Sequence, residues 1–482
     1  MVDWIYGYPG MLKKYPQLLL KRFYSMLVLF LSIAACMPGK PSPTASPTSS
    51  PYPTETTSPT DTAFPVRVNI EVNLDDIRQA VGHVGSGNFI HYFGGTTSTI
   101  ESISAMNIEQ LQPQYARVSI ELQEWEPVND NDDPMLQKPA AFYDDRHNHA
   151  TFELMKLLSD KGVEITASIW RVPNWLVENP QDESARTISR SMYSEAIESI
   201  AAWLVHARDQ YGVDVKYISF NEANLGVTVL LSPEDYAEMI RVGGMRFEEL
   251  GLKTKWLLGD CASIRGCLDY VKPIWGREDI RSYLGLLAFH NWDGINVSND
   301  VITALGTWAD EQGLEVRCTE GGWDAQLWQR SNEFPGWTNA RQLAISYNRV
   351  LKMSRATVFY YWEMMGNDYQ LNDGSTPYPA MRVLQQMSDA FPPGTKILGT
   401  TPNGSSIYWV AGKTPDGDIS IHVVSNTVAE KARISGLPNG IYDLIISTRE
   451  EFGKHVQSFT VSDGTLLFDL PGFSIALLKT KH

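Results

Sequence analysis

The sequence predicts an α/β protein, an eight-stranded (β/α)8 barrel of the TIM class followed by a C-terminal all-β sandwich. Three observations carry that prediction. Between residues 81 and 392, eight short apolar runs of strand type alternate with amphipathic helical stretches. Two of those runs, Val215-Lys-Tyr-Ile-Ser-Phe-Asn221-Glu222 and Leu314 to Trp323, carry a carboxylate where the strand ends, at Glu222 and Glu320. After Pro392-Pro393-Gly394 the helical period disappears, and short alternating strands separated by Gly-containing turns take over.

Taken in order, residues 1–36 read as an export signal. Lys13, Lys14, Lys21 and Arg22 precede the apolar run Met26 to Ile33, which is too short to span a bilayer as a mature helix. The run leads into Ile33-Ala34-Ala35-Cys36, which resembles a bacterial lipobox and implies cleavage before Cys36 and lipid attachment to its thiol. The alternative is ordinary signal cleavage, a secreted protein and an incidental cysteine. Residues 37–65 are almost all Pro, Ser and Thr and read as an extended linker. Within 66–80, Val66 to Val72 alternates with period two, a strand expected to join the sandwich.

The expected barrel strands are Val84 to Tyr92 (which contains Asn88 and His91), Tyr115 to Glu121, Val163 to Trp170, Val215 to Glu222, Lys255 to Asp260, Gly285 to Trp292, the run ending at Glu320, and Thr357 to Glu363. Helical patterns fill the gaps. Ser189 to Tyr211 places Ile197, Ile200, Ala201 and Leu204 on one stripe, and Ser232-Pro233-Glu234-Asp235 has the form of a helix start. Ala340 to Met353 and Pro379 to Met387 supply the last two helices. In residues 393–482, Ser406 to Ala411, Ile419 to Val424, Tyr442 to Ser447, Val456 to Val461 and Phe473 to Leu478 are the expected sandwich strands.

Composition narrows the function. At 482 residues, 43% hydrophobic and 20% charged, the chain suits a barrel plus a smaller domain. A net charge of −16 leaves no basic surplus to neutralise phosphates, which argues against nucleic acid as a partner. The 14 Trp and 21 Tyr suit a carbohydrate partner, because flat aromatic faces stack on sugar rings. After Cys36, three cysteines remain: a Cys261–Cys267 bridge with Cys318 free, or three free thiols. No Cys pair has zinc spacing, and the acids of Asp144-Asp-Arg-His147-Asn-His149 read as helix capping, so no metal is expected.

The site-bearing residues have a family likeness. Asn221-Glu222 ending strand four and Thr319-Glu320-Gly321 ending strand seven resemble the signatures of clan A glycoside hydrolases. Within the clan, Trp170-Arg-Val-Pro173-Asn-Trp175, His290 with Trp292, Trp362, and the C-terminal sandwich joined by an N-terminal strand resemble family 30. That family often has Pro after its acid/base Glu, where this chain has Ala223.

The likeness implies a retaining β-glycoside hydrolase that works without a cofactor, Glu222 the acid/base and Glu320 the nucleophile. It also implies substrate contacts from Arg117, Asn221 and Trp362. For Trp170, Trp175, Trp292 and Trp323, sugar stacking and loop packing stand level. Arg117, His290 or a Tyr hydroxyl would keep Glu320 ionised, and Asp260, Glu121 and Glu363 are weaker candidates for holding hydroxyls. The alternatives are another clan A activity, such as a β-xylosidase or arabinofuranosidase, or a non-catalytic surface glycan-binding lipoprotein.

Cys36→Ala is expected to move the protein from the membrane fraction to a soluble or unprocessed form. Unchanged membrane association with the usual processed mass would remove the lipid anchor from this reading.

Overall fold

A computed structural model describes residues 67–90, 98–181, 186–366 and 368–482. Cys36, the 37–65 linker, and His91 with Tyr92 lie outside them. Eight parallel strands close a barrel: β2 His83–Phe89, β3 Tyr115–Glu121, β4 Glu164–Arg171, β5 Val215–Phe220, β6 Lys255–Cys261, β7 Leu284–His290, β8 Val316–Gly321 and β9 Ala356–Tyr361. Strand β9 returns to pair with β2. Helices cover the outside, so both faces of a barrel strand are buried and the strands read as near-continuous apolar runs.

The helices follow their expected grammar with one exception. Helix Tyr193–Tyr211 buries Ile197, Ile200, Ala201 and Leu204 and ends at Gly212, whose φ of 69° is the left-handed form that stops a helix. Helix Pro233–Glu249 begins at Ser232, whose hydroxyl accepts the Asp235 N–H at 3.1 Å. The exception is helix Arg146–Ser159. Asp145 stands at its N-cap without a side-chain capping bond, so capping does not explain the acids there. Asp144 instead accepts from Tyr211 Oη at 2.7 Å and pairs with His206 at 2.8 Å and His149 at 3.0 Å. Donors on the neighbouring helix and on His149 take this carboxylate, and the helix's own backbone does not.

The N-terminal end of the lumen is plugged. Arg317 is buried there, with Glu164 Oε1 at 2.6 Å, Tyr360 Oη at 3.0 Å, and the Tyr115 and Tyr217 rings 4.7 and 5.1 Å from its guanidinium carbon. Chemistry is thereby confined to the opposite end, where barrel sites form.

The sandwich contains β10 Lys396–Thr400, β11 Ile407–Lys413, β12 Ile419–Ser425, β13 Ala429–Ser435, β14 Gly440–Ser447, β15 Lys454–Val461, β16 Thr465–Leu470 and β17 Ser474–Thr480. Strand β1, Asn69–Ala80, belongs to it as well. Its first residues pair parallel with β13, and its later ones antiparallel with β10, so one strand links both sheets. Ile70, Val72, Trp409, Ile421, Ile434 and Leu478 are among the residues of the core between the sheets. The sandwich docks on barrel helix Trp337–Met353, where Asn348 Oδ1 meets His422 Nδ1 at 2.8 Å and Trp337 Nε1 donates to the Phe473 carbonyl at 2.8 Å.

One buried cluster stands out beside the barrel. Glu126, Glu195 and Glu198 are all buried, and neither Glu198 oxygen has a donor. Asp130, Asp132 and Asp133 add negative charge from the adjoining loop, while that loop's Lys138 donates to the Asp130 carbonyl. Burial first, then the charges of Asp130, Glu126 and Glu195, push Glu198 up to about 8. Burial pushes Glu126 up to about 7.

Both folded values lie above the ordinary glutamate range. The stabilisation is therefore complete below about pH 4.3 and is lost as pH rises through 7 to 8. Glu198→Gln is expected to raise Tm at pH 8.5 and leave it nearly unchanged at pH 5. Parallel Tm–pH curves for variant and wild type would rule out this origin of alkaline instability.

Candidate active site

The C-terminal mouth of the barrel gathers the candidate residues around a buried guanidinium. Arg117, third residue of β3, is fully buried. Its Nη1 donates to Glu320 Oε1 at 2.9 Å and Asn88 Oδ1 at 3.0 Å. Its Nη2 donates to Asn221 Oδ1 at 2.6 Å and Asp260 Oδ2 at 2.8 Å. The Asn221 side-chain carbonyl is thus committed to Arg117, and its Nδ2 is left buried without a partner.

Glu320 lies within β8. Besides Arg117, its Oε2 accepts from Trp292 Nε1 at 3.1 Å and meets His290 Nδ1 at 3.2 Å. Glu222 follows β5 in a tight turn, with φ of 47°, and its carbonyl accepts the N–H groups of Leu225 and Gly226. The left-handed backbone turns the chain out of the barrel while the side chain, 12% exposed, stays over the lumen. Glu222 Oε1 meets His290 Nδ1 at 2.8 Å. Carboxylate oxygens of Glu222 and Glu320 and a ring nitrogen of His290 all lie within 4.8 Å of one another.

Protons follow from these contacts. Burial alone would lower His290, but the Glu320 charge and hydrogen bonds to Asp260 and Glu222 lift it to about 10, making it an imidazolium at neutral pH. Burial, together with the charges of Glu222 and Asp260, pushes Glu320 up to about 7 against the pull of His290 and Arg117. Glu320 therefore holds a proton more readily than an ordinary glutamate. Arg117, Trp292 and His290 all approach Glu320, whereas of these only His290 approaches Glu222.

The tryptophans divide. Trp170 and Trp362 stack on each other, with ring centroids 5.5 Å apart and planes 26° apart, both half-buried at the mouth. Trp292 donates to Glu320 and crosses Trp362 edge-on at 6.4 Å, and Gly322 presses on its ring so closely that an added Cβ would lie 2.2 Å away. Trp175 and Trp323 commit their N–H groups to the Glu126 carbonyl and Asn339 Oδ1.

Asp260 does not face a hydroxyl-binding surface: it is fully buried beneath Arg117 and His290. Glu121 is also buried, 3.5 Å from Arg171, and Glu363 accepts the Asp368 N–H. Of the two cysteine alternatives, the structure has three free thiols, all buried.

The hydroxyls of Ser219 and of Thr319, the latter named above only as part of the strand-seven signature, both bond Asp260 at 2.6 Å. Their signal was a lone hydroxyl in an apolar strand close to a candidate carboxylate.

Neither a family model nor a curated protein matches the sequence. Among solved structures the chain is similar to the glycoside hydrolase family 30 endoxylanase from Clostridium papyrosolvens C71, with a TM-score of 0.65 at 17% identity over 86% of this chain and 100% of that one. It is similar to an endo-β-1,6-glucanase at TM-score 0.58 and 13% identity, covering 86% and 94%. A glycoside hydrolase family 39 enzyme from Xanthomonas axonopodis pv. citri matches at 0.58 and 12%, covering 88% and 99%. At these identities the likeness is one of fold, a TIM barrel with its C-terminal sandwich.

Gly322→Ala is expected to force the Trp292 indole off Glu320, at a cost of about 1–3 kcal/mol as for other overpacked sites. A lower Tm and a changed tryptophan emission would report it. A variant matching wild type in both would show that Gly322 does not hold the ring.

Proposed function

We propose that the chain is a retaining β-glycoside hydrolase cleaving O-glycosidic bonds in extracellular glycans by double displacement. The observation that carries the proposal is the pair Glu222 and Glu320, from opposite sides of one barrel, with carboxylate oxygens within 4.8 Å. Retaining glycosidases hold their carboxyls roughly 5–5.5 Å apart, and inverting ones roughly 6.5–9.5 Å to admit a water. The shorter spacing favours direct attack on carbon.

In the first step Glu320 attacks the anomeric carbon, while Glu222 gives its proton to the departing glycosidic oxygen. The sugar is then held as an ester of Glu320. In the second step Glu222, now a carboxylate, takes a proton from water, and that water displaces Glu320. Asn221 Nδ2 donates to the 2-hydroxyl of the reacting sugar, a bond that strengthens as positive charge develops at the ring. Arg117, Trp292 and His290 hold the charge on Glu320. The Trp170–Trp362 stack offers an aromatic face to the sugar ring.

Export and lipid anchoring at Cys36 belong to the same reading and rest on residues 1–36 alone. No helix of the described residues is long and apolar enough to cross a membrane.

A panel of aryl β-glycosides, xylan and β-1,6-glucan, followed by NMR of the first-formed product, tests the proposal. The β-anomer should appear first. Initial appearance of the α-anomer would exclude double displacement, and glycan binding without turnover on any substrate would favour the non-catalytic alternative. Glu320→Gln should lower kcat by at least about 10³-fold while the protein stays folded, since an amide cannot serve as the nucleophile.

A further inference from the structure

Asp260 is a carboxylate of the site that takes no part in the proposed steps. It is fully buried near the end of β6. The pairing of β6 with β7 slips between Gly259 and Cys261, and Gly259 and Asp260 have φ of 101° and 58°. A bulge of this kind re-aims a side chain, and an L residue at positive φ is retained only where its surroundings over-determine it. Here four hydrogen bonds from four strands do so. Oδ1 accepts from Thr319 Oγ1 at 2.6 Å and His290 Nε2 at 3.2 Å. Oδ2 accepts from Ser219 Oγ at 2.6 Å and Arg117 Nη2 at 2.8 Å.

Every one of these donors stands next to the chemistry. Arg117 bonds Glu320, and His290 reaches both carboxylates. Thr319 directly precedes Glu320, and Ser219 lies two residues before Asn221. We propose that Asp260 is the positioning residue of this site, setting the orientations from which Arg117 and His290 donate to Glu320 and Glu222. The kinetic part of this proposal rests on the hydrolase reading above, and the spectroscopic part does not.

The chemistry follows from the two ends of each donor. His290 has a ring nitrogen on Asp260 and the other on the catalytic pair, so a carboxylate at Asp260 holds a proton on Nε2 and fixes the ring plane. Donation from Nδ1 as well requires the imidazolium, and of the three carboxylates on that cation Asp260 is the one that does not react in the proposed steps. Arg117 likewise has one Nη on Asp260 and the other on Glu320. An amide at position 260 would oppose an NH2 to one of the two donor pairs, Arg117 with Ser219 or His290 with Thr319, and leave the other without its charged acceptor.

Asp260→Asn is therefore expected to lower kcat roughly 10²-fold, the scale on which orienting partners behind catalytic groups act, with KM within about threefold of wild type. The alkaline limb of its pH–rate profile should move to lower pH as His290 loses its proton earlier. Histidine-selective 15N NMR of the full protein reads the same point without turnover, with His290→Gln identifying the signal. In wild type the His290 ring should stay protonated past pH 9, and in Asp260→Asn it should deprotonate below pH 8. Wild-type His290 titrating near pH 6.5 would overturn the proposal, even if the variant cannot be folded. So would an Asp260→Asn protein whose kcat stays within threefold and whose His290 titration is unchanged. Absence of turnover in wild type would sink the hydrolase reading alone, leaving the NMR arms to decide this one.

Discussion

The mouth of this barrel is organised by a guanidinium with no access to water. An ion taken out of water costs several kcal/mol unless its partners are close and its donors satisfied. Arg117 meets most of that demand through its two Nη groups, with two carboxylates, Asp260 and Glu320, and two amide oxygens, Asn88 and Asn221, while its Nε is buried without a partner. Because the guanidinium is a rigid planar fork, meeting four acceptors at once fixes strands β2, β5, β6 and β8 relative to β3. The orientation of the Asn221 amide, and so its free N–H, is a consequence of the same constraint.

The lumen contains a second buried arginine, and the contrast between the two explains why only one end is a site. Arg317 lies among Tyr115, Tyr217 and Tyr360, and the side chains of its carboxylates Glu164 and Glu315 are 31% and 38% exposed. Water reaches those two acids. At the other end Asp260 is wholly enclosed and Glu320 nearly so. There the charges interact through a poorly screening medium, and small changes of proton or ligand are felt by all of them. The same residue type closes one end of the barrel and sensitises the other.

How much of this was legible in the chain depended on whether a signal was local. Alternation of apolar runs with helical stripes is local, and it led correctly to a TIM barrel with a sandwich behind it. A carboxylate where a strand ends is also local, and Glu222 and Glu320 were visible for that reason. The hydroxyl contacts of Ser219 and Thr319 and the inward turn of Asp260 were not, because their meaning lies in which side chains share a layer of the lumen. Strand β10 is short and contains Gly399, and β13 reads Ala-Glu-Lys-Ala-Arg-Ile-Ser, too charged on its exposed side to announce a strand. Asp144 looked like a cap because sequence shows its own helix and not the Tyr211 and His206 donors of the next. Trp292 is a hydrogen-bond donor to Glu320, a matter of rotamer that composition cannot express.

The two buried acid groups of this protein show what the cations at the mouth accomplish. Glu126, Glu195 and Glu198 are buried carboxylates with further acids around them, and burial drives their protons on without selecting which oxygen carries charge. Glu222 and Glu320 also lie close together, and burial with the Glu222 charge pushes Glu320 up. They differ in that Arg117 and His290 approach unequally: Glu320 receives both and Trp292 besides, Glu222 only His290. Those unequal donors favour charge on Glu320, which in the proposed double displacement is the anion that attacks carbon. Asp260 contributes by keeping both cations where that inequality persists. A site of this kind is built less by placing two glutamates near each other than by breaking the symmetry between them.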